Sequence, residues 1–161
     1  MTGPLLRPYA IADADSPARL DAARRLFREY QAWINVDLGF QGFEEELATL
    51  PCKYSPPDGR LLLLLRGEEA VGCIALRRFD RASGEVKRLY VRPAERGRGL
   101  GKALAAAVVE AARAIGYRRL MLDTLEPMVE ARELYRSFGF TEIPAYYSSP
   151  LPGAIYMELK L

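Results

Sequence analysis

Glu85-Val86-Lys87-Arg88-Leu89-Tyr90-Val91-Arg92-Pro93, followed two residues later by Arg96-Gly97-Arg98-Gly99-Leu100-Gly101-Lys102, is the stretch that decides the fold. The first run reads as a strand over residues 85–92, stopped by Pro93, which has no N–H to give a ladder. The second sets three alternating glycines ahead of Leu100, Leu104, Ala107/Val108, Ala111 and Ile115. That is an apolar stripe at helical spacing, and Gly116 closes it as a C-terminal glycine should. A strand, a glycine-rich turn and a helix in this order form the first part of a βαβ crossover.

Upstream, residues 60–66 and 70–79 predict two strands joined at Gly67-Glu68-Glu69, and Ala82-Ser83-Gly84 turns into the quoted strand. Residues 51–59 are a proline-rich loop ending in Asp58-Gly59. Ser16-Pro17 is an N-cap with proline in the first helical position, ahead of a stripe of Leu20, Ala23, Phe27, Tyr30 and Ile34. Residues 40–50 predict a second short helix and residues 5–10 a first strand. Downstream, residues 118–123 predict a strand and residues 127–138 a helix with Met128, Ala131, Leu134/Tyr135 and Phe138 on one side, closed by Gly139. Residues 140–143 and 155–161 are the last strands. The predicted order is β-α-α-β-β-β-α-β-α-β-β, without repeat or linker. It implies an α+β fold over residues 1–161 as one domain: a mixed antiparallel and parallel sheet of about seven strands with helices on both faces.

The chain has 161 residues, half apolar and 27% charged, the composition of a globular protein with a full core. The N-terminus shows no signal-peptide pattern and the longest apolar run, residues 61–65, is too short for a membrane span. Two cysteines, Cys52 and Cys73, form neither a disulfide framework nor a metal-ligand pattern, so a reducing cytoplasm and no metal are expected. Histidine is absent. That removes Ser-His-Asp and Cys-His activation and leaves acid–base work to Glu, Asp, Tyr, Lys or water. Residues 85–102 carry a formal +4 while the whole chain carries +2. A local cluster of that kind suits a compact anion better than a long nucleic acid, although a solvated basic surface would look the same.

Glycines at a helix start let successive N–H groups approach a ligand beside the positive end of the dipole, and a diphosphate is the natural occupant. A P-loop is ruled out because Arg96 stands where its first glycine belongs and Ala103 follows Lys102. A Rossmann turn is ruled out because Lys102 replaces its third glycine. A glycine turn holding no ligand remains the competing reading.

The wider segment resembles the acetyl-CoA motif of the GNAT N-acetyltransferases, Arg/Gln-x-x-Gly-x-Gly/Ala after a strand ending in an aromatic–valine pair: Arg96, Gly99 and Gly101 fill its positions behind Tyr90-Val91. Ala131, Leu134-Tyr135 and Gly139-Phe140 are similar to a second family pattern, and the strand at Tyr156-Met157-Glu158-Leu159 also suits it. The resemblance spans roughly residues 59–161. It implies acetyl-CoA as cosubstrate, its pyrophosphate on the N–H groups of Arg98, Gly99, Gly101 and Lys102, within a loop that also contains Gly97 and Leu100. It implies pantetheine pairing with the edge of Leu89, Tyr90 and Val91, where a bulge splays two parallel strands, with Ala131 alongside. The basic side chains would face the phosphates. Nothing in the residues places the bulge; without one, alternation puts Glu85, Lys87, Leu89 and Val91 on one face.

Amine attack on a thioester needs an amine freed of its proton, a donor for the carbonyl oxygen and an acid for the leaving thiolate. The resemblance implies Tyr135 for the acid, against the alternative of a core tyrosine. It implies Val91 N–H for the oxygen. Glu85, eleven residues before Arg96, matches the glutamate of the histone-modifying branch, against the alternative of an ion pair with Lys87 or Arg88. The acceptor site is expected between the N-terminal helices, the 51–59 loop and Tyr146-Tyr147, with Tyr30, Trp33, Phe40 and Tyr54 as further lining. Because Glu142-Ile143-Pro144-Ala145-Tyr146-Tyr147 resembles the late segment of small bacterial-type members, a small-molecule amine is expected ahead of peptide N-termini or lysines. Neither a membrane nor nucleic acid is expected as partner, and a homodimer is compatible with the reading. A non-catalytic acyl-CoA sensor and covalent transfer through Cys52 or Cys73 are the chemical rivals.

Overall fold

The computed structural model describes residues 7–161, so Leu5 and Leu6 of the expected first strand lie outside it. Strand β1 is Tyr9–Asp13, and helix α1 (Pro17–Ile34) begins as anticipated, with Ser16 Oγ accepting the N–H of Arg19 at 3.2 Å. It ends on Asn35, left-handed at φ 54°. The second helical segment divides: a 3-10 turn at Gly39–Gln41, then α2 (Phe43–Thr49), with Gly42 (φ 70°) making the corner. Strands β2 (Arg60–Arg66), β3 (Glu69–Arg78) and β4 (Ser83–Val91) follow as consecutive antiparallel neighbours. Then come α3 (Leu100–Ile115), β5 (Arg119–Leu125), α4 (Val129–Ser137), β6 (Thr141–Ile143) and β7 (Ala154–Lys160). The seven strands stand in the order β1-β2-β3-β4-β5-β7-β6.

The run of leucines in β2 is explained by burial on both faces. Leu62 and Leu64 pack toward α3 with Ile74, Leu104, Leu120 and Met157. Leu61 and Leu63 pack toward α1 and α2 with Leu26, Phe27 and Phe43. No helix among the described residues is long and apolar enough to cross a membrane.

Two features of β4 position the site. It is the one parallel partner in the sheet, and it pairs with β5 only at its start, Ser83 with Arg119, Gly84 with Leu120 and Glu85 with Met121. Beyond Glu85 the two strands part, leaving an open V. Second, Cys73 faces Tyr90 while Ala75 faces Lys87, so Ile74 alone opposes Arg88 and Leu89. This is a bulge, with Arg88 in the left-handed region at φ 62°.

The extra residue reverses the alternation that a regular strand would impose. Val86, Leu89 and Val91 join the α3 side, whereas Tyr90 joins the α1 side. The expected shared face of Glu85, Lys87, Leu89 and Val91 is thereby broken after Lys87. Arg88 is carried into the α1–α2 layer, where its Nε and Nη2 donate to Glu46 at 3.0 and 3.2 Å and its Nη1 to Gln41 at 2.9 Å. Its guanidinium also stacks 5.3 Å from the Phe43 ring.

Candidate active site

A cavity of about 600 Å³ fills the V between β4 and β5. Its floor at one end is the turn before α3. Gly97 and Gly99 have φ of 81° and 74°, and a Cβ at either would meet nothing within 4 Å, so the turn is glycine for its backbone conformation and its open face. Among the described residues the N–H groups of residues 97–102 donate to no backbone acceptor, and α3 has no side-chain cap. Uncapped donors at the positive end of a sixteen-residue helix form a cradle for a phosphate-sized anion.

Along one wall, Arg92 donates its N–H to Val71 at 2.9 Å, which turns the N–H and C=O of Val91 the other way, into the V. The Val91 carbonyl there accepts from Arg96 Nε at 2.8 Å. Arg96 is clamped over Trp33, 4.4 Å from guanidinium carbon to ring centre, and its buried Nη2 has no hydrogen-bond partner. A buried, unspent donor beside an open strand edge and an uncapped helix is a site that fits coenzyme A, with its diphosphate and its amide-bearing pantetheine arm.

The basic cluster divides on inspection, correcting the expectation that its side chains face the phosphates together. Arg88 is buried on Glu46. Lys87 pairs with Asp123, 3.3 Å between Nζ and Oδ1. Arg92 forks onto Glu29 at 3.0 and 2.9 Å and reaches Glu69 at 2.9 Å. The exposed pair is Arg98, which also donates to the Tyr9 hydroxyl at 3.1 Å, and Lys102, which lines the cavity.

Opposite the β4 edge, α4 contributes Ala131, Leu134 and Tyr135. Tyr135 packs its ring on Phe140, 5.5 Å between centres, and lines the cavity. Burial pushes its pKa well above that of an ordinary phenol, with Tyr30 and Asp123 adding to the rise. Burial likewise pushes Tyr30 up to about 12 against the opposing charge of Arg88. Both phenols therefore stay protonated across the neutral range, and both residues line the cavity.

Glu85 and Asp123 occupy different places. Glu85 sits where β4 and β5 are still paired, buried and outside the cavity lining. It accepts from Arg77 Nε and from Tyr146 OH, each at 2.7 Å. Asp123, on β5 where the strands have parted, lines the cavity with Tyr135. Its Oδ2 accepts from Tyr147 OH at 2.5 Å. Desolvation and these carboxylate hydrogen bonds hold both Tyr146 and Tyr147 far above the normal phenol range.

Sequence reading passed over Asp123. Its signal was the single charge in Leu120-Met121-Leu122-Asp123-Thr124-Leu125, an otherwise uncharged run. Of the expected acceptor aromatics, Tyr30 and Trp33 line the large cavity, whereas Tyr54 is core, donating to Glu46 at 2.8 Å. Cys73 is fully buried with its thiol on the Arg88 carbonyl at 3.3 Å, and burial raises the pKa of both cysteines, against thiolate formation.

A sheet opened between two parallel strands, an uncapped glycine turn at its mouth and a phenol in its throat define an acyltransferase that draws on an acyl-coenzyme A thioester. The profile of the acetyltransferase (GNAT) family matches residues 20–140, three quarters of the chain's length, and the chain belongs to that family. An N-acetyltransferase of Schizosaccharomyces pombe is 39% identical over 155 residues, 94% of each chain. An acetyltransferase structure from Streptococcus agalactiae shares the fold, with TM-score 0.80 over 97% of this chain and 100% of that one at 24% identity. A GNAT acetyltransferase of Elizabethkingia anophelis, solved with acetyl-CoA bound, aligns with TM-score 0.66 at 19% identity, covering 97% of this chain and 100% of that one.

Proposed function

We propose that the chain is a cytoplasmic, single-domain N-acetyltransferase that passes the acetyl group of acetyl-CoA directly to the amine of a small molecule. The observation that carries this reading is that one cavity joins the uncapped turn, the open edge of β4 and the hydroxyl of Tyr135. The N–H groups of residues 97–102, with Arg98 and Lys102 at the rim, hold the coenzyme diphosphate. The Leu89–Val91 edge of β4, with Ala131 across the cavity, receives the pantetheine arm. Bound acetyl-CoA supplies the thioester. Val91 N–H, turned into the V, is the donor for the thioester oxygen, and Tyr135 gives its proton to the departing sulfur.

On the amine side the geometry favours Asp123 over Glu85. Asp123 is the cavity-wall carboxylate that lies on β5 beside Lys87, placed to hold an incoming ammonium and draw off its proton. Glu85 stands behind it, fixing Arg77 and the Tyr146 ring. Asp123→Asn is therefore expected to lower kcat by something on the order of tenfold to a thousandfold, and Glu85→Gln by less. Steady-state rates of both variants at saturating acetyl-CoA check this; the reverse ranking would return the base to Glu85.

A small acceptor is favoured because the cavity, about 600 Å³, must hold the pantetheine arm as well as the acceptor. Coenzyme release against a panel of small amines, amino acids and short peptides tests the reading. Turnover of small amines is expected. Turnover confined to peptide N-termini would give the peptide alternative instead, and coenzyme binding without any turnover would make the chain an acyl-CoA sensor.

Gly99→Asp should weaken coenzyme binding by well over tenfold. It forces a side chain onto φ 74° and points a carboxylate at the diphosphate. Calorimetric titration with coenzyme A measures the loss, and equal affinity in the variant would remove the turn from the site.

A further inference from the structure

Beside the large cavity lies a second, of about 210 Å³, walled by Phe40, Gln41, Arg77, Lys87, Tyr147 and Ser148. Gln41 and Lys87 belong to both cavities, so the smaller one opens off the amine end of the larger. Its walls hold two cations, an amide and two hydroxyls, but no carboxylate.

Those cations have donors to spare. The Lys87 side chain is only 5% exposed, yet among the described residues its ammonium meets a single partner, Asp123, at 3.3 Å. Two of its three N–H donors are thus unspent in a place where water does little to satisfy them. Arg77 gives Nε and Nη2 to one oxygen of Glu85 and keeps Nη1 free of any ion pair among the described residues. Gln41 is oriented by Arg88, whose Nη1 takes its Oε1 at 2.9 Å. Its Nε2 is left facing Tyr147 at 3.5 Å, a loose contact that leaves a donor for another partner.

We propose that this second cavity is the carboxylate subsite of the acceptor, and that the acceptor is a small α-amino acid. The inference rests on the placement of the reacting amine at Asp123 given above. An α-amino acid carries its two charges a few ångströms apart. With its ammonium on Asp123 it sets its carboxylate against Lys87, antiparallel to the ion pair already there, so that each charge meets its opposite. The carboxylate takes the unspent donors of Lys87, Arg77 Nη1 and Gln41 Nε2 as charge-assisted hydrogen bonds. A decarboxylated amine leaves them unfilled, and a carboxamide presents an NH₂ to a cation. Phe40 and Ser148 border the space left for a short side chain.

The test is equilibrium binding to the protein saturated with coenzyme A, using the common α-amino acids and the carboxamide of each. At least one amino acid is expected to bind on the order of tenfold or more tightly than its own carboxamide, because a buried cation left unmatched discriminates strongly. Arg77→Met should bring acid and amide to the same affinity. Gln41→Glu, which keeps an oxygen for Arg88 and adds a negative charge to the cavity, should do so without disturbing the Glu85 pair. Coenzyme titration of each variant confirms an intact fold. Equal binding of acid and amide by the native protein, binding of neither at millimolar concentration, or discrimination unchanged in Gln41→Glu would each overturn the proposal. Turnover is read separately: acid-selective binding without acetylation would leave the subsite standing and overturn the transferase reading.

Discussion

Tyr135→Phe is expected to lower kcat by something on the order of tenfold to a thousandfold while leaving coenzyme affinity nearly unchanged. The ring is packed on Phe140 and the helix face is apolar, so the substitution keeps the packing and deletes only the hydroxyl. That hydroxyl belongs to a residue lining the cavity in which the thioester must lie. Losing it leaves the thiolate to depart unprotonated. The direction of the Tyr135 shift fixes the pH behaviour. A phenol raised by burial remains an acid up to at least about pH 10, so wild-type kcat should not fall through ionisation of Tyr135 below that pH. The Tyr135→Phe deficit should accordingly be constant from neutral to mildly alkaline pH. Pre-steady-state rates across that range measure it. An unchanged kcat would make Tyr135 a packing residue.

Arg88→Met should be the most destabilising substitution at the site. The side chain is 2% exposed and its partner Glu46 is 10% exposed, so truncation leaves a carboxylate nearly buried without its cation. Breaking such a pair from one side costs about 3–5 kcal/mol, which for a domain of this size lowers Tm by roughly 10 °C. Replacing Glu46 with methionine as well should recover part of the loss, since the orphaned charge is then gone. The bulge depends on the same side chain. Arg88 is held in the left-handed region by two bonds to Glu46, one to Gln41 and a thiol on its carbonyl. Coenzyme affinity should fall along with Tm in Arg88→Met, because the bulge sets which edge of β4 faces the V. Calorimetry on the single and double variants decides it; a shift of a degree or two would mean that the pair contributes little.

Much of this architecture was legible because local chemistry and global fold agree. Ser16 capping, Gly116 closing α3, the apolar stripes and the leucine run of β2 are all read from spacing, and each appears where expected. The glycine turn was legible for the same reason: alternating glycines ahead of an apolar stripe mark an open turn at a helix start, as Gly97 and Gly99 form here. The bulge was not. A left-handed strand residue usually announces itself as glycine or asparagine, and here it is arginine, whose strain is offset by partners more than 40 positions away in sequence. One unread residue then inverted the faces of Leu89, Tyr90 and Val91. The charge cluster misled by a similar route. Its sum was visible, but Glu29, Glu46, Glu69 and Asp123, which pair three of its six cations, come from four other elements. Asp123 was concealed by its neighbours, since an acid within an apolar strand reads as an edge position until the strand is known to line a cavity.

The central claim, direct transfer within one cavity, is tested most sharply by intact-protein mass after rapid mixing with acetyl-CoA, first alone and then with an accepted amine. The account predicts an unchanged protein mass in the first case. In the second it predicts one acetylated amine for each coenzyme released, because neither buried Cys73 nor half-buried Cys52 has a base to make it a nucleophile. A protein heavier by one acetyl group on Cys52 or Cys73, discharged when the amine is added, would contradict it.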